Sequence, residues 1–184
     1  YLDVVLGDLY GECIRIYQGS ENGFSSDGMQ KLAAKGAFYM RVADLNRDGL
    51  LDIVAPRLSD NVVSIHWNSP EGFHDEDIQE IPMSGPSEVE FADLNEDGWL
   101  DMIVPGFWEG YSLDQRTASA IYWGGEDGYS NYKRTLLHMS GATDTSVADF
   151  NHDGHLDIVF SNYHGNSTRE VDSFVYWGNS SDFS

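Results

Sequence analysis

A nine-residue pattern, Asp-x-Asn-x-Asp-Gly-x-Leu-Asp, occurs three times in the chain, at 44–52, 93–101 and 149–157. Its first, third, fifth and ninth side chains carry oxygen, and they can converge if the loop curls at the glycine in position six. The main-chain carbonyl of position seven can face the same point. Oxygen ligands in a flexible loop are what Ca²⁺ prefers, whereas zinc and softer metals favour nitrogen and sulfur. Without a cation, three neighbouring carboxylates would repel one another.

We therefore predict about three bound Ca²⁺ ions, one in each loop, and a loss of stability when they are removed. The predicted ligands, with position seven contributing only its carbonyl, are Asp44, Asn46, Asp48, Leu50 and Asp52; Asp93, Asn95, Asp97, Trp99 and Asp101; and Asp149, Asn151, Asp153, His155 and Asp157.

The first half of this pattern also fits an EF-hand, which needs a glutamate at position 12 and a helix on each side. Position 12 is instead Ala55, Val104 or Phe160. The residues flanking each loop are short apolar, β-branched runs, which are typical of buried strands. The loops therefore join strand to strand, and the EF-hand is excluded.

The loops begin 49 and 56 residues apart, and a second landmark keeps the same register. An aromatic run such as Ile121-Tyr122-Trp123-Gly124 follows each loop, and Asp3 matches the ninth position of a loop whose start is missing. Four strands in about 50 residues make one blade of a β-propeller. We predict an all-β fold of about three and a half four-stranded antiparallel blades, with repeats at 1–36, 37–86, 87–142 and 143–184.

The motif, its position between strands and its spacing resemble the FG-GAP/VCBS repeats of integrin-α-like β-propellers. The resemblance implies structural Ca²⁺ in the three loops. The family includes adhesion receptors, fungal lectins and polysaccharide lyases, so the fold does not decide the function.

The first blade lacks its inner strand and the fourth lacks most of its outer strand. Closed propellers have about four to eight blades. We therefore expect this chain to be part of a longer propeller or to self-associate. Because weak Ca²⁺ sites belong to extracellular modules, we expect an extracellular, cell-surface or periplasmic location.

Charge and hydropathy limit the partners. The chain has 31 acidic and 10 basic residues, a formal net charge of −21, which argues against nucleic acid as a partner. No apolar run reaches the length of a membrane span, so membrane insertion is not expected.

In a propeller of this kind the acidic loops lie on one rim, here called the metal rim. The loops on the opposite rim differ most between repeats, which is where binding residues belong. Candidates for a glycan or protein ligand are Trp108, Tyr111, Tyr163, His164 and Arg169. Aromatic rings there would stack on sugars, although Trp108 and Tyr111 would equally serve to cover their own loop.

We expect an interaction or carbohydrate-binding module and assign no catalytic residue. One alternative is a polysaccharide lyase, in which His164 or Tyr163 is a general base and Arg169 neutralises a uronate. The other is a purely structural segment of a larger surface protein.

Overall fold

The structure is a computed structural model that describes residues 1–107, 118–138, 141–163, 171–179 and 183. The only helical element in these ranges is a single 3-10 turn at Leu58–Asp60. No described helix is long and apolar enough to cross a membrane. The described strands, in chain order, are β1 Val4–Leu6, β2 Cys13–Tyr17, β3 Gly19–Ser20, β4 Gly23–Phe24, β5 Gln30–Ala33, β6 Arg41–Ala43, β7 Asp52–Arg57, β8 Val62–His66, β9 Ile78–Pro82, β10 Glu90–Ala92, β11 Asp101–Val104, β12 Ala118–Tyr122, β13 Arg134–His138, β14 Ala142–Ala148, β15 Asp157–Asn162 and β16 Phe174–Tyr176.

These strands form four antiparallel sheets and a separate small hairpin of β3 with β4, which lies in the chain between the second and third strands of the first sheet. Blade 1 has the order β1-β2-β5, blade 2 β6-β7-β8-β9, blade 3 β10-β11-β12-β13, and blade 4 β14-β15-β16. The predicted fold class of propeller blades is confirmed. Blades 2 and 3 are complete, whereas blades 1 and 4 have three strands each among the described residues.

The core consists of three layers, one between each pair of neighbouring blades. Successive residues of a strand point to opposite faces, and β7 shows how a central strand serves two layers. Ile53 and Ala55 pack with blade 1, while Val54 packs with blade 3. A strand that is covered on both faces is apolar throughout, which explains the short runs seen in the sequence.

Aromatic residues of the third strand take part in these layers. Tyr122 is fully buried between blades 2 and 3. Trp123, the next residue, is partly buried against the layer between blades 3 and 4, whereas Trp177 in the equivalent position of blade 4 is 42% exposed. The difference follows from position, because among the described residues blade 4 packs against blade 3 only.

Candidate functional site

The three acidic loops connect the first and second strands of blades 2, 3 and 4, and they share one hydrogen-bond network. In the middle loop, the backbone N–H of Asp97 donates to both Asp93 Oδ1 and Asn95 Oδ1, each at 3.0 Å. Gly98 N–H donates to Asp93 Oδ2 at 2.8 Å, and Trp99 N–H to Asp97 Oδ1 at 2.8 Å. The same four bonds occur at 44–52 and at 149–157. Side-chain oxygens of positions one, three and five are therefore gathered around one turn.

The backbone conformation of this turn repeats as well. Glycine in position six has a φ of +88°, +87° and +94° in the three loops, a region that favours glycine. Position four is also left-handed, with φ of +62° at Arg47, +58° at Glu96 and +61° at His152. Two left-handed residues in one short loop bend it tightly enough to bring its polar side chains together.

The ninth position differs from the other predicted ligands because it is fully buried. Asp101 accepts two backbone N–H groups, from Leu94 at 2.9 Å and from Gly124 at 2.8 Å. Asp52 and Asp157 make the equivalent pair of bonds. In blade 1, Gly19 N–H donates to Asp3 at 2.8 Å, which confirms that Asp3 holds this position. The ninth aspartate thus ties the start of the loop to the end of the third strand, a role that the motif alone does not reveal.

Burial makes two of these carboxylates, Asp52 and Asp101, costly to ionise. Loss of hydration raises the pKa of Asp101 to about 6, even though its two backbone hydrogen bonds lower it. The carboxylates of Asp97 and Asp93 add repulsion that raises this pKa further. The pKa of Asp52 is raised by the same causes. A cation in the loop would favour the ionised forms.

The donor set of each loop fits a hard cation, since its side chains offer only carboxylate and amide oxygen. Acidic side chains alone do not complete a site: within the described residues, no three His, Cys, Asp or Glu side chains are grouped closely enough to hold a metal. A cation in the loop would therefore also need the amide oxygen of position three and a main-chain carbonyl as ligands. Ca²⁺ accepts both of these ligand types.

A second feature lies at the opposite end of the blades, because first and second strands are antiparallel. There a pocket of about 350 Å³ is framed by residues from all four blades. One set stands six residues after the aspartate in position nine of the repeated pattern, namely Leu9, Leu58 and Phe107. The other set stands six and five residues before each loop, namely Phe38 and Tyr39, Ser87 and Glu88, and Thr143 and Asp144.

This pocket includes residues that we did not predict, although the repeat register could have revealed them. Tyr39, Glu88 and Asp144 occupy the same position in three repeats, so the fold brings them to one place. Of the predicted ligand-binding residues, Tyr163 is described: it is 48% exposed and its ring lies 6.1 Å from that of Phe107. The other four, Trp108, Tyr111, His164 and Arg169, lie outside the described residues.

Comparisons with known proteins agree with this architecture. The structure is similar to that of the V. cholerae biofilm matrix protein Bap1, with a TM-score of 0.51 and 21% identity. The similarity covers 87% of this chain and 25% of Bap1, so the chain spans about a quarter of that protein's length. No curated protein sequence matches the chain. The model of the FG-GAP-like repeat matches residues 44–104, which contain the first two acidic loops. Residues 44–104 are therefore identified as an FG-GAP-like repeat segment, as the loop motif predicts.

Proposed function

We propose that this chain is a Ca²⁺-stabilised β-propeller segment that acts as an extracellular interaction or carbohydrate-binding module. The observation that carries the proposal is the threefold repetition of one oxygen-rich turn, down to the individual hydrogen bonds. A turn needed only to reverse the chain would not require carboxylates at positions one, five and nine. The extracellular location is proposed from the predicted weak Ca²⁺ affinity and from the similarity in fold to a biofilm matrix protein.

Residues at positions one, three and five would hold the cation together with the carbonyl of position seven. The buried ninth aspartate retains lone pairs beyond those used by its two N–H donors. It can therefore contribute as a ligand while it fixes the loop to the third strand. The ion would offset the repulsion between the carboxylates, and so it would stabilise the end of each blade.

Binding of Ca²⁺ is tested by calorimetric titration of the chelator-treated chain, together with its melting temperature. We expect about three sites, and each occupied site should add ~2.7 kcal/mol at free Ca²⁺ of 100 times its dissociation constant. Asp97→Asn should weaken one site, since it removes a ligand charge but keeps an acceptor for Trp99 N–H. Glu96→Gln is the matched control, because Glu96 is next in sequence, is exposed and is not a predicted ligand. A melting temperature that EDTA leaves unchanged would contradict the proposal.

The ligand-binding part of the proposal rests on the rim opposite the metal loops. Apolar, aromatic and polar side chains from the four blades frame one pocket there, which is a common arrangement for small-molecule sites. A glycan array probed with the Ca²⁺-loaded chain separates a binding module from a scaffold. Binding that is abolished by Phe107→Ala would support a rim site, whereas an array without any signal would favour the purely structural alternative.

A further inference from the structure

The pocket at the rim opposite the acidic loops is lined by two carboxyl groups that share one hydrogen-bond donor. The backbone N–H of Thr145 donates to Glu88 Oε2 at 3.0 Å and to Asp144 Oδ1 at 2.8 Å. Glu88 is only 5% exposed, and its other oxygen accepts from Arg41 Nη2 at 2.6 Å. Two acids from neighbouring blades are thus held next to each other beside an open cavity.

The charge at this end of the pocket is negative once both acids are ionised. Arg41 is also 3.7 Å from Glu90, so its single guanidinium is shared between Glu88 and Glu90, while Asp144 adds a further carboxyl group next to Glu88. Burial, and next the hydrogen bond with Asp144, raise the pKa of Glu88 to about 7. The pair therefore favours a bound proton or another cation in contact with it.

The sides of the pocket are apolar and aromatic. Phe38 and Tyr39 are 39% and 56% exposed, and their ring centres lie 4.1 Å apart. Tyr39 is held in the left-handed region with a φ of +48°, which is uncommon for a bulky residue. Phe107 closes another side, with Tyr163 beside it. Exposed aromatic faces attract both the apolar hydrogens of a sugar ring and a cation.

We infer that this pocket binds an amino sugar through its free ammonium group, which would donate to Glu88 and Asp144 while the ring packs against Phe38, Tyr39 and Phe107. The inference rests on the carbohydrate-binding function proposed above and specifies its ligand class. A volume of about 350 Å³ is near the lower end of the range for ligand pockets, which suits a single sugar residue. A uronate is disfavoured here, because its carboxylate would meet two further carboxyl groups.

The test is calorimetric titration of the Ca²⁺-loaded chain with three sugars of one size class. Glucosamine carries the ammonium, N-acetylglucosamine has the same nitrogen without charge, and glucuronate carries a negative charge. We expect glucosamine to bind about tenfold or more tightly than N-acetylglucosamine, since a charge-assisted hydrogen bond is roughly twice as strong as a neutral one. Glucuronate should bind weakest. Binding of glucosamine should also weaken with added salt.

Two variants locate the site. Asp144→Asn keeps an acceptor for Thr145 N–H, so it should fold normally and lose the preference for glucosamine over N-acetylglucosamine. Phe107→Leu should weaken both sugars. Glu126→Gln is the control: it removes the same charge from an exposed position in the hairpin between β12 and β13, on the metal rim.

Three results would overturn the inference: glucuronate or N-acetylglucosamine binding as tightly as glucosamine, Asp144→Asn retaining the full preference, or no sugar binding at millimolar concentration. None of these results bears on Ca²⁺ binding, which the titration and melting experiments described above test separately. Tight binding of N-acetylglucosamine that Phe107→Leu weakens would retain the carbohydrate-binding function and refute only the ammonium ligand.

Discussion

The two rims of the blades differ in what their repeats share. At the metal rim, three loops have the same polar residues, the same left-handed positions and the same hydrogen bonds. At the pocket rim, equivalent positions carry Tyr39, Glu88 and Asp144, which differ in size and charge. The metal rim therefore repeats one loop structure in blades 2, 3 and 4, whereas equivalent positions on the pocket rim carry different side chains. A repeat fold can keep its stability in one set of loops while its specificity changes in another.

The sharpest test of this contrast is one substitution made on both rims, Asp to Asn. Asp101→Asn turns one accepting oxygen into an N–H donor and leaves a buried backbone N–H without a partner. We expect it to lower the free energy of unfolding by about 3 kcal/mol. Asp144→Asn can still accept from Thr145 and can donate to Glu88, so its effect should stay within about 0.5 kcal/mol.

Urea unfolding in EDTA measures both variants without any contribution from Ca²⁺. Equal losses of stability would mean that the pocket rim is as structural as the metal rim, and the contrast would be wrong.

The next largest effect concerns Glu88 and pH. Its pKa is raised from 4.5 to about 7 in the folded chain, mainly by burial, so the folded state binds more protons than the unfolded state between these values. Stability from this group is therefore greatest at low pH and falls as pH rises from about 4.5 to 7. Glu88→Gln removes this titration, so its stability relative to the native chain should rise by on the order of 2 kcal/mol from pH 4 to pH 8.

Parallel urea titrations of the two proteins at each pH give this difference directly. Other titrating groups are present in both chains, so their contributions cancel to first order. A difference that is flat with pH would show that Glu88 ionises normally.

A comparable effect is expected where the metal rim meets the third strand. A Cβ added at Gly124 would lie 2.2 Å from the carbonyl oxygen of Leu100, so the backbone would have to move. Gly124→Ala should cost about 2 kcal/mol. Asn68 occupies the equivalent position in blade 2 and already has a side chain, which donates to Leu51 O at 3.1 Å.

Asn68→Ala is thus the matched control, and it should cost less than Gly124→Ala because no new atom enters the loop. Thermal unfolding of the Ca²⁺-loaded variants compares them. The reverse order would mean that the backbone around Gly124 accommodates a Cβ, as the backbone around Asn68 already does.

The smallest effect concerns the link between adjacent metal loops. The Arg47 guanidinium carbon lies 4.5 Å from the centre of the Trp99 ring, so the loops of blades 2 and 3 touch through a cation–π contact. We expect Arg47→Gln to cost about 0.5–1 kcal/mol. A double-mutant cycle with Trp99→Leu isolates this pair, and a coupling energy of zero would show that the loops are independent.

Much of the architecture could be predicted from the sequence. Each repeat encodes its own strands and turn through local patterns, so an all-β fold of antiparallel blades could be predicted from the sequence. The double role of the ninth aspartate could not be predicted, because it depends on Gly124, which lies 23 residues further along the chain. Glu88 and Asp144 belong to no motif, and packing between two blades brings them together. The repeat register shows only that they occupy equivalent positions.

The buried ninth aspartate has a mechanical consequence. It ties the hairpin of the first two strands to the end of the third strand, so a pulled blade cannot release its strands one at a time from that end. Under load, each complete blade should yield as one event. With about 50 residues per blade and at most about 3.5 Å per extended residue, each event would lengthen the chain by roughly 170 Å.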